Sequence, residues 1–381
     1  MLSRRRSILI AIVVAALVAA AVWVGPRLFH RFYSHGLKLV TVVKGLETPW
    51  SIAFLPDGRM LVTERPGRMR LVDSDGRVSA PLTGLPAVHA SGEGGLMGVV
   101  IDPRFAENQL VYWSYSEADA AAPALASTAV ARGRLTESGL REVQVIFRQP
   151  EKTADNRHFG GRLLFAPDGR LLIGLGDRYQ RADAQLPDSA HGKIMRIEAD
   201  GRLPEGNAVP GATGVQGAVW SLGHRNVQGL AFQPGTGRLW ASEHGPKGGD
   251  EINVIQRGHN YGWPVITYGC EYVTCARIGE GTAKAGMDQP AAWFGPDSLP
   301  LTGMTFLTSD RYPEWKGQLF VASLSWGQAM VRLRVEGDRV VAREPMWLET
   351  NRILRDVQQG PDGWLYVVTN SPDGRIVRLE R

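Results

Sequence analysis

The most constraining feature of this sequence is a short unit that recurs along it: an apolar run, a tight turn built on Pro and Asp-Gly, and a second apolar run. Ser51-Ile-Ala-Phe54 precedes Pro56-Asp-Gly-Arg59, and Arg162-Leu-Leu-Phe165 precedes Pro167-Asp-Gly-Arg170. Pro361-Asp-Gly363 leads into Trp364-Leu-Tyr-Val-Val368, and Gly229-Leu-Ala-Phe232 into the variant turn Pro234-Gly-Thr-Gly-Arg238. Proline presets one turn dihedral and glycine accepts positive φ, so each unit predicts a β-hairpin. With 45 glycines and 23 prolines, the chain favours many short turns over long helices. Similar hairpins from Gly45 to the C-terminus, with no linker-like break, predict radial repetition in one all-β domain, a β-propeller. The irregular spacing of the turns leaves the number of blades open.

The first 33 residues read differently. Arg4-Arg5-Arg6 precedes seventeen apolar residues, Ile8 to Val24, ended by Gly25-Pro26. A basic n-region before an apolar stretch is an export signal, and the run approaches the roughly 20 residues of a spanning helix. It therefore predicts a cleaved signal peptide or a retained anchor over 1–33, with residues 34–381 as the propeller in the periplasm, soluble or anchored to the outer side of the inner membrane. In that compartment Cys270 and Cys275, the two cysteines of the chain, are expected to form a local disulfide. Two thiols are too few for structural zinc. The formal charge of +5 is scattered apart from the arginine cluster, which argues against nucleic-acid binding.

Four polar segments are too specialised to be hairpin turns: Gly92-Glu-Gly-Gly-Leu-Met-Gly98, Asp155-Asn-Arg-His-Phe-Gly-Gly-Arg162, Gly223-His-Arg-Asn-Val-Gln-Gly229, and Ser242-Glu-His-Gly-Pro-Lys-Gly-Gly-Asp-Glu-Ile-Asn253. Glycine beside charged residues permits close backbone approach to a ligand, histidine serves as a base near neutrality, and carbonyls with a carboxylate suit calcium. There is no dinucleotide fingerprint, Walker loop or nucleophile elbow. On these residues alone the chain is a ligand-binding propeller.

These segments, with Thr48-Pro-Trp-Ser-Ile-Ala-Phe54, Gly174-Leu-Gly-Asp177, Asn260-Tyr-Gly-Trp-Pro264 and Arg355-Asp-Val357, occur in the order found in the soluble aldose sugar dehydrogenases that use pyrroloquinoline quinone (PQQ). The chain resembles that family, relatives of soluble quinoprotein glucose dehydrogenase, over nearly all of its length from Gly45. The resemblance implies a six-bladed propeller that oxidises the C1 hydroxyl of an aldose to the lactone, with PQQ over the channel and electrons passing to a quinone or cytochrome. His158 falls on the catalytic base, and Arg225 and Asn226 on contacts to the quinone oxygens. Gly245 and Pro246 fall on carbonyl ligands of the calcium that bridges to PQQ, and Glu251 and Tyr261 on a second calcium site. Tyr272 and Arg352 or Arg355 align with further cofactor contacts. Three positions depart from the pattern. Glu93 stands beside the cofactor where glutamine is common, and Ser325 where the glucose enzyme has lysine. Asn351-Arg-Ile-Leu-Arg355 carries one residue more than the usual arginine spacing. His191 and His244 carry no assignment, and the tryptophans are expected mainly to pack the blades, with Trp50, Trp263 and Trp326 as candidates to line the rim. Two other classes remain: a non-redox calcium propeller acting as a binding module, and one acting as a lactonase.

Overall fold

A computed structural model describes residues 36–137, 139–325, 330–346, 348 and 353–381. Its strands form six antiparallel sheets, five of four strands and one of three. The first strand of each sheet lies innermost: Pro49–Phe54, Leu96–Ile101, Gly160–Phe165, Val227–Phe232, Leu301–Phe306 and Leu354–Gln359. Each of these six touches the next and the last touches the first, so the ring is closed around a central channel. The sixth sheet closes it by pairing the first strand of the domain, Lys38–Leu46, antiparallel to the last, Gly374–Glu380. The chain is a six-bladed β-propeller, as the resemblance implies.

The recurrent unit is the link between first and second strands. In the Pro56 turn, Leu55 N–H donates to Arg59 O (2.8 Å), Gly58 N–H to Leu55 O (3.0 Å) and Arg59 N–H to Asp57 Oδ1 (3.0 Å), with Gly58 at φ 86°. The Pro167 and Pro361 turns repeat this pattern, with glycines at φ 81° and 83°. Asp caps the turn while Gly supplies the left-handed residue, which makes these hairpins local in origin.

The alternating runs bury one face against each neighbouring blade, so the core is a set of layers between sheets. Leu61, Met69, Val99 and Trp113 fill the layer between blades one and two. Phe320, Met330, Val357 and Val367 fill that between five and six. Trp113 and Trp240 are fully buried in such layers. The four recurrent turns, at Pro56, Pro167, Pro234 and Pro361, lie where first strands end. The opposite end of the channel collects the loops before first strands and after second strands, and the four specialised segments enter there. No helix among the described residues is long and apolar enough to cross a membrane, and the apolar run 8–24 lies outside them.

Candidate active site

His158 sits just before the innermost strand of blade three, buried, at φ 53°. That left-handed conformation is uphill by about 1–3 kcal/mol for a non-glycine residue, so its surroundings must hold it. Glu93 Oε2 accepts the His158 backbone N–H at 2.7 Å. Arg178, fully buried, donates to the carbonyls of Asp155 and Arg157 and to Ala126 O (3.2 Å), with its guanidinium 3.4 Å from the Phe159 ring centroid.

The imidazole is fixed through one nitrogen. His158 Nδ1 lies 2.7 Å from Asp177 Oδ1, which also accepts Tyr179 N–H (2.9 Å), while Asp177 Oδ2 accepts Trp263 Nε1–H (2.7 Å). Burial pushes the Asp177 carboxyl up, but the His158 hydrogen bond and nearby positive charge hold it below its usual value. An ionised Asp177 requires the proton on Nδ1, which leaves Nε2 as the free base. Burial and the Arg225 charge lower the His158 pKa despite Asp177 and Glu93, so the ring is neutral at pH 7. Gly176 makes the contact sterically feasible: a Cβ there would fall 1.9 Å from His158 O.

Arg225 and Asn226 precede the innermost strand of blade four. Arg225 Nη1 donates to His244 O (2.9 Å) and its N–H to Glu243 Oε2 (3.0 Å). Asn226 Oδ1 accepts from Gly160 N–H (3.1 Å) and Gln228 Nε2 (3.0 Å), so its amide nitrogen is the end available to a ligand. Arg355 donates to Gln228 Oε1 (2.8 Å), and burial pulls its pKa down to about 10. Arg355, Glu93, Trp50, His244 and Leu324 line one opening, and Arg225, His244, Gly245, Pro246 and Glu251 line the adjoining one. Three buried nitrogens at these openings, Nε of Arg225 and Arg355 and Nε2 of His244, have no protein partner. Ser325 lies beside Leu324, its N–H donating to Ser323 Oγ (3.1 Å). Arg352 lies outside the described residues.

Gly245 O accepts the Tyr272 hydroxyl (3.1 Å) and Pro246 O accepts Gly249 N–H (2.9 Å), so each carbonyl retains a lone pair. Cys270 and Cys275 are disulfide-bonded, Sγ–Sγ 2.04 Å, and Tyr272 is carried on that loop. Paired backbone bonds between Lys247 and Cys270 (both 3.1 Å) dock the loop on the Gly245 segment, and Arg181 pairs with Glu271. Glu251 faces Glu243 across the ladder. Burial and that second carboxylate raise the Glu251 pKa to about 8, while Asn253 Oδ1 beside them has no partner. The Tyr261 hydroxyl is already engaged with Val254 O (2.7 Å) and Gln256 N–H (2.8 Å), so its backbone carbonyl is the atom left for a ligand. No three His, Cys, Asp or Glu side chains converge among the described residues. Any cation here is held mainly by carbonyls.

Several residues at this site carry no role in the sequence reading. Asp177 lies inside the Gly-Leu-Gly-Asp run, which is the signal for it, while Trp50 and Trp263, candidates for the rim, line the two openings and Trp326 lies outside the described residues. His244 lines both openings, and burial with Arg355 and Arg225 holds it well below the usual histidine value. Ser221 Oγ, His224 Nδ1 and Nε2, and Glu243 Oε1 form a chain of 2.8 and 2.6 Å that imitates a hydrolase relay. Ser221 and His224 are fully buried, so no substrate reaches them and the chain serves to anchor Glu243.

The family model described as Glucose / Sorbosone dehydrogenase matches residues 46–378. The aldose sugar dehydrogenase YliI of Escherichia coli (strain K12) is 41% identical over 339 residues, 88% of this chain and 90% of that protein. The soluble aldose sugar dehydrogenase of Escherichia coli, solved in its apo-form, superposes with a TM-score of 0.86 at 39% identity over 90% of this chain and 99% of its own. The PQQ-bound aldose sugar dehydrogenase of Streptomyces coelicolor superposes with a TM-score of 0.74 at 32% identity, over 90% and 98% of the two chains. With its closed six-bladed ring and a loop-built site at one end of the channel, this chain belongs to the glucose/sorbosone dehydrogenase family of oxidoreductases.

Proposed function

We propose that this protein oxidises the C1 hydroxyl of aldose sugars to lactones with PQQ and calcium, after export to the periplasm. The observation that carries the reading is the His158–Asp177–Trp263 chain, which leaves a neutral imidazole with Nε2 as a free base. Three partnerless buried nitrogens belong to residues that line the two openings, and such groups cost about 1–3 kcal/mol each unless a ligand or water meets them. An anionic, oxygen-rich ring fits them, and the spare lone pairs of Gly245 and Pro246 fit a calcium ion. Glu251, Asn253 Oδ1 and the Tyr261 carbonyl fit a second.

PQQ supplies a two-electron acceptor when bound. His158 Nε2 removes the proton of the anomeric hydroxyl as C1 gives up its hydrogen with the electron pair, and the C1–O bond becomes the lactone carbonyl. Asp177 keeps the Nδ1 proton and stabilises the imidazolium. Arg225 and Asn226 are fixed donors for negative charge developing nearby. Glu93 is exposed on the same opening as Arg355. A binding module has no need of a tuned base, and a lactonase has no need of the unpartnered arginines.

The test is spectroscopic. Chelated protein should regain sugar-dependent activity only with both PQQ and calcium, and an aldose should then reduce the cofactor absorbance. Full turnover with PQQ in calcium-free buffer removes calcium from the proposal, and a spectrum unchanged by any reducing sugar removes the dehydrogenase reading.

A further inference from the structure

We infer that Glu93 is a positioning residue for His158, its carboxylate holding the left-handed backbone turn from which the imidazole reaches Asp177. The inference rests on the reading of His158 as the base. A residue at φ 53° stays there only while its neighbours fix it. On the carbonyl side Arg178 does so, gripping Asp155 O and Arg157 O. On the N–H side the contact is Glu93, which makes a reciprocal pair between two loops entering adjacent blades. Glu93 Oε2 accepts His158 N–H at 2.7 Å, and Glu93 N–H donates to Asn156 O at 2.8 Å. The loops touch backbone to backbone here, since a Cβ on Gly92 would lie 2.4 Å from Asn156 O.

Where the family pattern has glutamine, the carboxylate adds a charge to this hydrogen bond. The charged groups facing the His158 imidazole are Asp177 and Glu93, which favour its protonated form, and Arg225, which opposes it; the Tyr179 ring lies 5.0 Å away. Glu93 therefore has two separable effects, a backbone hydrogen bond that an amide oxygen can replace and a charge that it cannot.

The experiment compares E93Q, E93A and H158Q in the full chain. It reads kcat and KM of the PQQ- and calcium-loaded enzyme with D-glucose as probe, PQQ affinity by absorbance titration, and the NMR titration of the His158 ring in cofactor-free protein. The ring signal is assigned by its loss in H158Q. E93A should lose about tenfold or more in kcat, the scale of one hydrogen bond to a charged group, with PQQ affinity within about threefold. E93Q should keep kcat on the alkaline plateau, with both the His158 midpoint and the acidic limb of the rate moved to lower pH. Wild-type kcat in E93A overturns the inference, as does a His158 titration unmoved in both variants. PQQ affinity falling in step with activity in both also overturns it, because Glu93 is then a cofactor ligand. A silent E93A beside an inactive H158Q fails Glu93 alone, whereas an active H158Q fails the base reading and this inference with it.

Discussion

Replacing Asp177 with asparagine is the most discriminating perturbation of the proposed chemistry. Three N–H donors converge on this carboxylate: His158 Nδ1 at 2.7 Å and Tyr179 N at 2.9 Å on Oδ1, and Trp263 Nε1 at 2.7 Å on Oδ2. An amide offers one oxygen and one NH2. With its oxygen toward His158, the NH2 faces Trp263 Nε1–H and two buried donors oppose each other, at about 1–3 kcal/mol. With its oxygen toward Trp263, the NH2 donates to His158 Nδ1, the proton moves to Nε2, and the base is lost. General-base catalysis typically supplies 10²–10⁴-fold, so kcat should fall by about that factor, roughly 3–5 kcal/mol of barrier. The pH profile carries a sign. In the wild type, burial and Arg225 hold His158 below its usual value, so kcat/KM should rise with pH to a plateau, with its midpoint below that of an unperturbed histidine. Removing the Asp177 charge disfavours the imidazolium further, so any residual acidic limb must lie at lower pH. Stopped-flow reduction of PQQ-loaded D177N across pH checks both statements. A kcat within about threefold of wild type, or a limb displaced to higher pH, would refute the tautomer argument.

His158→Gln should keep PQQ and calcium binding but lose about 10²–10⁴-fold in kcat and the acidic limb, and a variant with wild-type turnover removes His158 from the mechanism. A chain starting at Leu37 should fold with the thermal midpoint of the longer protein, because Lys38–Leu46 is the strand that closes the ring; failure to fold in an oxidising compartment contradicts this. Cys275→Ser should cost at most about 2 kcal/mol, the loop-entropy limit for so short a closure. Its larger effect should be weaker PQQ binding, as Tyr272 loses its brace, and unchanged affinity would show that the disulfide does not support the site.

The elements legible in the sequence are those written in local chemistry. Pro, Asp and Gly at fixed offsets specify the Pro56, Pro167 and Pro361 hairpins because every hydrogen bond in each turn lies within five residues. Cys270 and Cys275 are close enough in sequence to find each other without help from the rest of the fold. His158, Arg225, Asn226, Gly245 and Arg355 are legible because their motifs occur in a recognisable order, and Arg225, Gly245 and Arg355 line the two adjoining openings. The remainder depended on ring closure, which pairs the two ends of the domain and decides which loops become neighbours. Irregularly spaced turns could not count six blades, because that number comes from sheet twist and interblade packing around a circle. Likewise no local pattern could place Glu93 on the backbone of His158, Trp263 on Asp177, or Arg178 beneath Phe159. Each of these contacts joins residues distant in sequence, and hydrogen bonds between separate loops exist only where the closed propeller holds those loops within three ångströms of each other.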